Sequence, residues 1–89
     1  MTQTILVTGG AGFIGANFVE YFARRHPDIR LVDLDLMTYA GHPQVFEAQR
    51  RMPNVVPVRG DVADAALVDR LFDEYDMGGV IHFAAESHV

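Results

Sequence analysis

An α/β fold built on a doubly wound parallel sheet is predicted by three observations. Four short apolar runs, rich in β-branched residues, alternate with three segments of helical character. A glycine-rich turn, Gly9-Gly10-Ala11-Gly12-Phe13-Ile14-Gly15, joins the first run directly to the first helical segment. An acidic residue closes the second run ~20 residues further on, the spacing of a dinucleotide fingerprint. The order β-α-β-α-β-α-β demands parallel strands with right-handed crossovers. A Rossmann-type winding then gives the strand order 3-2-1-4.

Each element follows from its own residues. Residues 4–8 read as a buried parallel strand. From Phe13 to about His26, Ile14, Phe18, Val19 and Phe22 keep helical spacing. Arg24, Arg25 and His26 sit in the last turn, where positive charge suits the macrodipole, and Pro27 stops the helix. Residues 29–34 give the second strand. A loop over residues 37–42 leads into a short helix at 43–51. The third strand covers 55–58 and runs into Arg59-Gly60-Asp61. Asp64 is placed to cap a helix over 65–75, with Leu67, Val68, Leu71, Phe72 and Tyr75 on one face. Gly78-Gly79 is expected to end that helix, and residues 80–84 form the fourth strand. With the sheet stopping at a strand, residues 1–89 read as the N-terminal part of a larger nucleotide-binding domain, without the catalytic and substrate-binding region.

Composition narrows the function. The chain has 89 residues, 12 acidic against 7 basic, and a net charge of −5. With no basic stripe, binding to nucleic acid is disfavoured. There is no cysteine, so disulfides, thiolate metal sites and a cysteine nucleophile are excluded. No apolar stretch is long enough to span a bilayer, and a cytoplasmic protein is expected. Every basic residue other than histidine is arginine, and lysine is absent. No histidine spacing resembles a metal site.

The glycines carry the chemistry. Gly9 permits a tight turn, Gly12 lets backbone approach a pyrophosphate, and Gly15 allows close helix–strand packing. The N–H groups at the helix start, near Phe13 and Ile14, are the anion donors. Asp33 and Asp35 share a face of the second strand. Asp35, nearest the crevice at the strand end, is the candidate ribose ligand, and Asp33 reads as a solvated or structural carboxylate. A carboxylate at this place repels a 2′-phosphate by ~4 kcal/mol at ~4 Å and an effective dielectric of ~20, so NAD is expected over NADP. Asp61, before Val62, is open to two readings of equal weight: acceptor from an adenine amino group, or turn and helix-capping residue. Ala84 and Ala85 leave room for a cofactor across the sheet edge, and Ser87 is a candidate donor to a substrate or to the nicotinamide ribose. His88 is a lone histidine and is assigned no catalytic role. His82 is expected to be packed within the strand. Thr38 and Tyr39 lie within reach of the adenosine half.

Residues 5–15, the loop Asp35-Leu36-Met37-Thr38-Tyr39-Ala40-Gly41, the turn Gly60-Asp61-Val62 and the end Ile81-His82-Phe83-Ala84-Ala85-Glu86-Ser87-His88-Val89 resemble the extended short-chain dehydrogenase/reductase family. Within it they are most similar to the NAD-dependent dTDP-glucose 4,6-dehydratases. The glycine signature is shared by the superfamily, whereas the Thr-Tyr-Ala-Gly loop and the Ala-Ala-Glu-Ser-His-Val end are narrower. Leu36 departs from the lysine common at its place, which weakens one cofactor contact. The resemblance implies a lyase: NAD takes a hydride from C4 of a nucleotide-linked glucose, water leaves across C5 and C6, and the hydride returns to C6. It implies NAD contacts at Phe13, Ile14, Asp35, Thr38, Asp61, Val62, Ala84 and Ala85, with Leu36 beside them, and a nucleotide-sugar contact at Ser87.

The tyrosine–lysine pair implied by the resemblance lies beyond these residues, so no catalytic residue is assigned and the 89-residue chain by itself is expected to be inactive. The parent protein is expected to be a homodimer. Two alternatives stand beside the dehydratase reading: an NAD-dependent epimerase or decarboxylase of nucleotide sugars, and a free-standing cofactor-binding fragment without catalysis.

Overall fold

The computed structural model describes residues 3–9, 13–36 and 43–83. Within them run β1 (Gln3–Thr8), α1 (Phe13–Arg25), β2 (Ile29–Asp35), α2 (Pro43–Arg50), β3 (Val55–Arg59), α3 (Ala65–Glu74) and β4 (Met77–His82). The strands form one sheet in the order β3-β2-β1-β4, every pair parallel. Both the fold class and the strand order are those expected from the sequence.

Alternation along the strands sends side chains to two faces. On one face Val7 and Leu31 meet Val19 and Ala23 of α1 and Val55 of β3, all buried, with Phe18, Phe22 and Met52 packed against them. On the other, Leu6, Val32 and Leu34 meet Leu71 of α3, with Leu67, Val68 and Tyr75 alongside. Two clusters separated by one sheet make a three-layer sandwich, which accounts for the nearly unbroken burial of β2. Pro57 sits in β3, an edge strand, where a missing N–H is tolerated.

Helix ends are set by local chemistry. Asp64 caps α3, its carboxylate accepting from the Leu67 N–H at 3.2 Å. Arg24 and Arg25 occupy the last turn of α1. Pro27 has no N–H, so the Ala23 carbonyl has no helical donor four residues on. The Asn54 amide supplies one, donating to Ala23 O at 3.2 Å, His26 O at 3.1 Å and Ile29 O at 2.9 Å. One side chain thus ties the end of α1 to the entries of β2 and β3.

The fourth strand departs from expectation. It begins at Met77 and ends at His82, where residues 80–84 were expected, and Gly78 and Gly79 lie inside it. Helix α3 stops earlier for another reason: Tyr75 is extended (φ −124°, ψ 143°), its N–H closing the last turn on Leu71 O. The Tyr75 ring joins the core below α3, with the Arg30 guanidinium 5.4 Å from its centroid, so it lies past the helix, not on its face. Gly78 serves the strand instead. The β1–β4 pairing passes from Thr4↔Met77 to Ile5↔Gly79, a one-residue slip of the kind glycine marks in strands. Phe72, expected on the core face of α3, is 45% exposed. No described helix is long and apolar enough to cross a membrane.

Candidate functional site

Four strand ends meet at the carboxyl rim of the sheet, and backbone hydrogen bonds align them. Gly9 N–H donates to Leu34 O at 3.0 Å, Gly60 N–H to Asp35 O at 3.0 Å, and Phe83 N–H to Thr8 O at 2.7 Å. Gly9 has φ 77°, a left-handed conformation that a side chain resists, so the turn after β1 starts at a residue only glycine fits well. Gly15, two residues inside α1, is buried, as close helix–strand packing requires.

The start of α1 opens onto this rim. Its first turn contains no acidic residue, and the N–H groups and positive dipole end of a helix start favour an anion. Ile14 is 58% exposed beside it.

Asp35, the last residue of β2, is 3% exposed, and Asp33 two residues earlier is fully buried. The expectation of a solvated Asp33 is therefore wrong on one branch: it is a structural carboxylate inside the α1 face of the sheet, opposite Val7 and Pro57. Neither aspartate lacks an interaction partner.

Asp61 follows β3. Its Oδ1 accepts from the Ala63 N–H at 2.9 Å and its carbonyl from the Asp64 N–H at 2.9 Å. The turn role is thus observed, and it occupies one carboxylate oxygen of an exposed residue. Leu36 and Val62 are exposed at 44% and 41%. With Ile14, they put three large apolar side chains, one from each βα junction, in solvent at the positions assigned to cofactor contact. Scattered exposed apolar residues are ordinary. Here all three belong to the segments that leave the same rim.

Gly12, Thr38, Ala84, Ala85 and Ser87 lie outside the described residues, as does the side chain of Phe13. Two residues with no ligand-related role expected of them also stand at the rim. Thr8, 1% exposed, is hydrogen bonded through Oγ1 to His82 Nδ1. His82 is exposed, not packed as expected, and Val80, two residues earlier in β4, is 54% exposed. No sequence signal links positions 74 residues apart. A described cleft of about 300 Å³, lined by Ala23, Arg24, Pro27, Arg51, Met52 and Asn54, lies at the opposite end of the sheet and shares no residue with the rim.

A glycine turn at φ 77°, an acid-free helix start and a buried aspartate at the end of the adjacent strand are the features of a Rossmann-type dinucleotide-binding fold. The chain belongs to the family described as GDP-mannose 4,6 dehydratase, whose model matches residues 6–89. It is 49% identical over 86 residues to the dTDP-glucose 4,6-dehydratase of Xanthomonas campestris pv. campestris, an alignment covering 97% of this chain and 24% of the relative. Among solved structures, it resembles the dTDP-glucose 4,6-dehydratase of Bacillus anthracis in complex with NAD, with TM-score 0.87 and 36% identity over 97% of this chain and 28% of that one. The dTDP-glucose 4,6-dehydratase of Streptomyces venezuelae, with NAD and TYD bound, gives TM-score 0.78 and 41% identity over 98% of this chain and 28% of that one. The chain spans about a quarter of the length of the curated relatives it matches.

Proposed function

We propose that this chain is the NAD-binding portion of a nucleotide-sugar 4,6-dehydratase that acts on dTDP-glucose. The observation that carries the reading is the rim itself: Gly9 at φ 77° leads to a helix start without acidic residues, and Asp35 closes the neighbouring strand. These residues fit a dinucleotide. The start of α1 holds the pyrophosphate on backbone N–H groups, and Asp35 accepts from the ribose hydroxyls. Ile14, Leu36 and Val62 screen the adenosine half from water, and Asp61 has one carboxylate oxygen beyond its turn bond for the adenine amino group. Thr38, Ala84 and Ala85 complete the NAD contacts in this reading, and Ser87 faces the sugar nucleotide.

When bound, NAD supplies the hydride acceptor and donor of an oxidation, elimination and reduction sequence. This chain's own part is to bind and orient that cofactor. It contains no lysine, so the tyrosine–lysine pair implied by the resemblance is not among its 89 residues.

Cofactor choice provides the test. Titrating the chain with NAD and with NADP should show NAD preferred, since ~4 kcal/mol of repulsion at ~4 Å and a dielectric of ~20 corresponds to roughly a thousandfold. Asp35→Asn should narrow that gap by raising NADP affinity. Equal affinities in the unmutated chain would remove Asp35 from the proposed role.

A further inference from the structure

We infer that His82 is a positioning residue for the dinucleotide, acting through Thr8 to hold two ligand-bearing segments in register; the inference rests on the NAD reading above. Thr8 and His82 are Cα partners in the last rung of the β1–β4 ladder. That rung is bonded twice: Phe83 N–H donates to Thr8 O at 2.7 Å, and the Thr8 hydroxyl is hydrogen bonded to His82 Nδ1. Immediately after Thr8 the chain enters the turn at Gly9, with φ 77°, that leads to α1. Immediately after His82 and Phe83 it enters residues 84–89, to which the proposed function assigns NAD and substrate contacts. One side-chain bond therefore sits where both segments leave the sheet.

The environment of the pair argues for more than strand packing. Thr8 is 1% exposed, so its hydroxyl needs a partner inside the protein. His82 is exposed, so the imidazole adds little to the core. A hydroxyl donates to an unprotonated Nδ1 and accepts from a protonated one, so the bond is available to either ring state. What the histidine contributes at this place is a fixed side-chain anchor at the end of β4. Terminal rungs fray most readily, and fraying here would move the phosphate turn and the segment after β4 relative to each other.

A double-mutant cycle on NAD affinity, with thermal melting of every variant, tests this. His82→Ala and Thr8→Val are each expected to weaken NAD binding about tenfold, and the double variant no further, because the two side chains act as one unit. His82→Asn keeps a polar atom near the place of Nδ1, and Thr8→Ser keeps the hydroxyl. Both should recover most of the affinity. Unchanged affinity in the alanine variant, additive losses in the double variant, or loss of melting temperature without rescue of binding by Asn or Ser would each overturn the inference. If the unmutated chain binds NAD and the variants bind equally, the positioning role alone falls. If the unmutated chain binds no NAD, the cofactor reading falls with it.

Discussion

Replacing Asn54 with alanine should be among the most damaging single changes outside the apolar core. Its Nδ2 contacts three carbonyls, Ala23 O, His26 O and Ile29 O, at 3.2, 3.1 and 2.9 Å. Two amide protons supply the equivalent of two good hydrogen bonds, each worth about 1 kcal/mol net. His26 O keeps a second donor, the Ile29 N–H at 3.0 Å. Ala23 O does not have the usual one, because Pro27 occupies the position of its helical donor. Ala23 is only 3% exposed, and a buried carbonyl left without a donor costs a further 1–3 kcal/mol or so. The sum is about 3–5 kcal/mol, which for a domain of this size is a fall in melting temperature of roughly 12–40 °C at ~4–8 °C per kcal/mol. Urea denaturation of Asn54→Ala against the unmutated chain measures it directly. A loss below about 0.5 kcal/mol, the level of an unremarkable surface substitution, would refute the bridging account. Asn54→Asp should be no better, since it keeps the shape but sets a carboxylate against three carbonyl oxygens.

Three smaller predictions concern backbone and caps. Gly9→Ala should lose about 1–2 kcal/mol from the left-handed conformation alone, read by denaturation, and should weaken NAD binding in a titration because the phosphate turn begins there. Gly79→Ala should stabilise by about 0.5–1 kcal/mol, since a Cβ at that strand position meets nothing within 4 Å; a lower denaturation midpoint would contradict this. Asp64→Ala should cost about 1 kcal/mol through loss of the bond to Leu67 N–H, with a matching fall in helical signal if α3 frays.

Much of this arrangement is legible in the chain because its signals are local. The strand order follows from the alternation of elements and the handedness of crossovers, and Asp64, Pro27 and Gly9 act where their chemistry places them. The misreadings have physical causes. A Gly-Gly pair after a helical pattern has the form of a helix stop, yet a glycine in a strand is equally suited to a register slip, and only pairing with Thr4 and Ile5 distinguishes the two. Asp33 gives no sign of full burial because carboxylates in strands are ordinarily solvated. The Thr8–His82 bond and the Asn54 bridge join residues far apart in sequence, which no periodicity encodes. For the site, the turn, the helix start and Asp35 are readable from spacing. For Asp61 the spacing leaves the turn and adenine roles equal in weight, and the bond from the Ala63 N–H establishes the turn role.

The strand order has a consequence during synthesis. Strand β1 is made first, and β2 and β3 can pair outward from it as they emerge, but its other edge waits for β4. At ~5–20 residues per second, the stretch from the end of β3 to the end of β4 takes roughly one to five seconds to appear. Throughout that interval the nascent chain offers an open β1 edge ending in a threonine whose partner has not yet been translated.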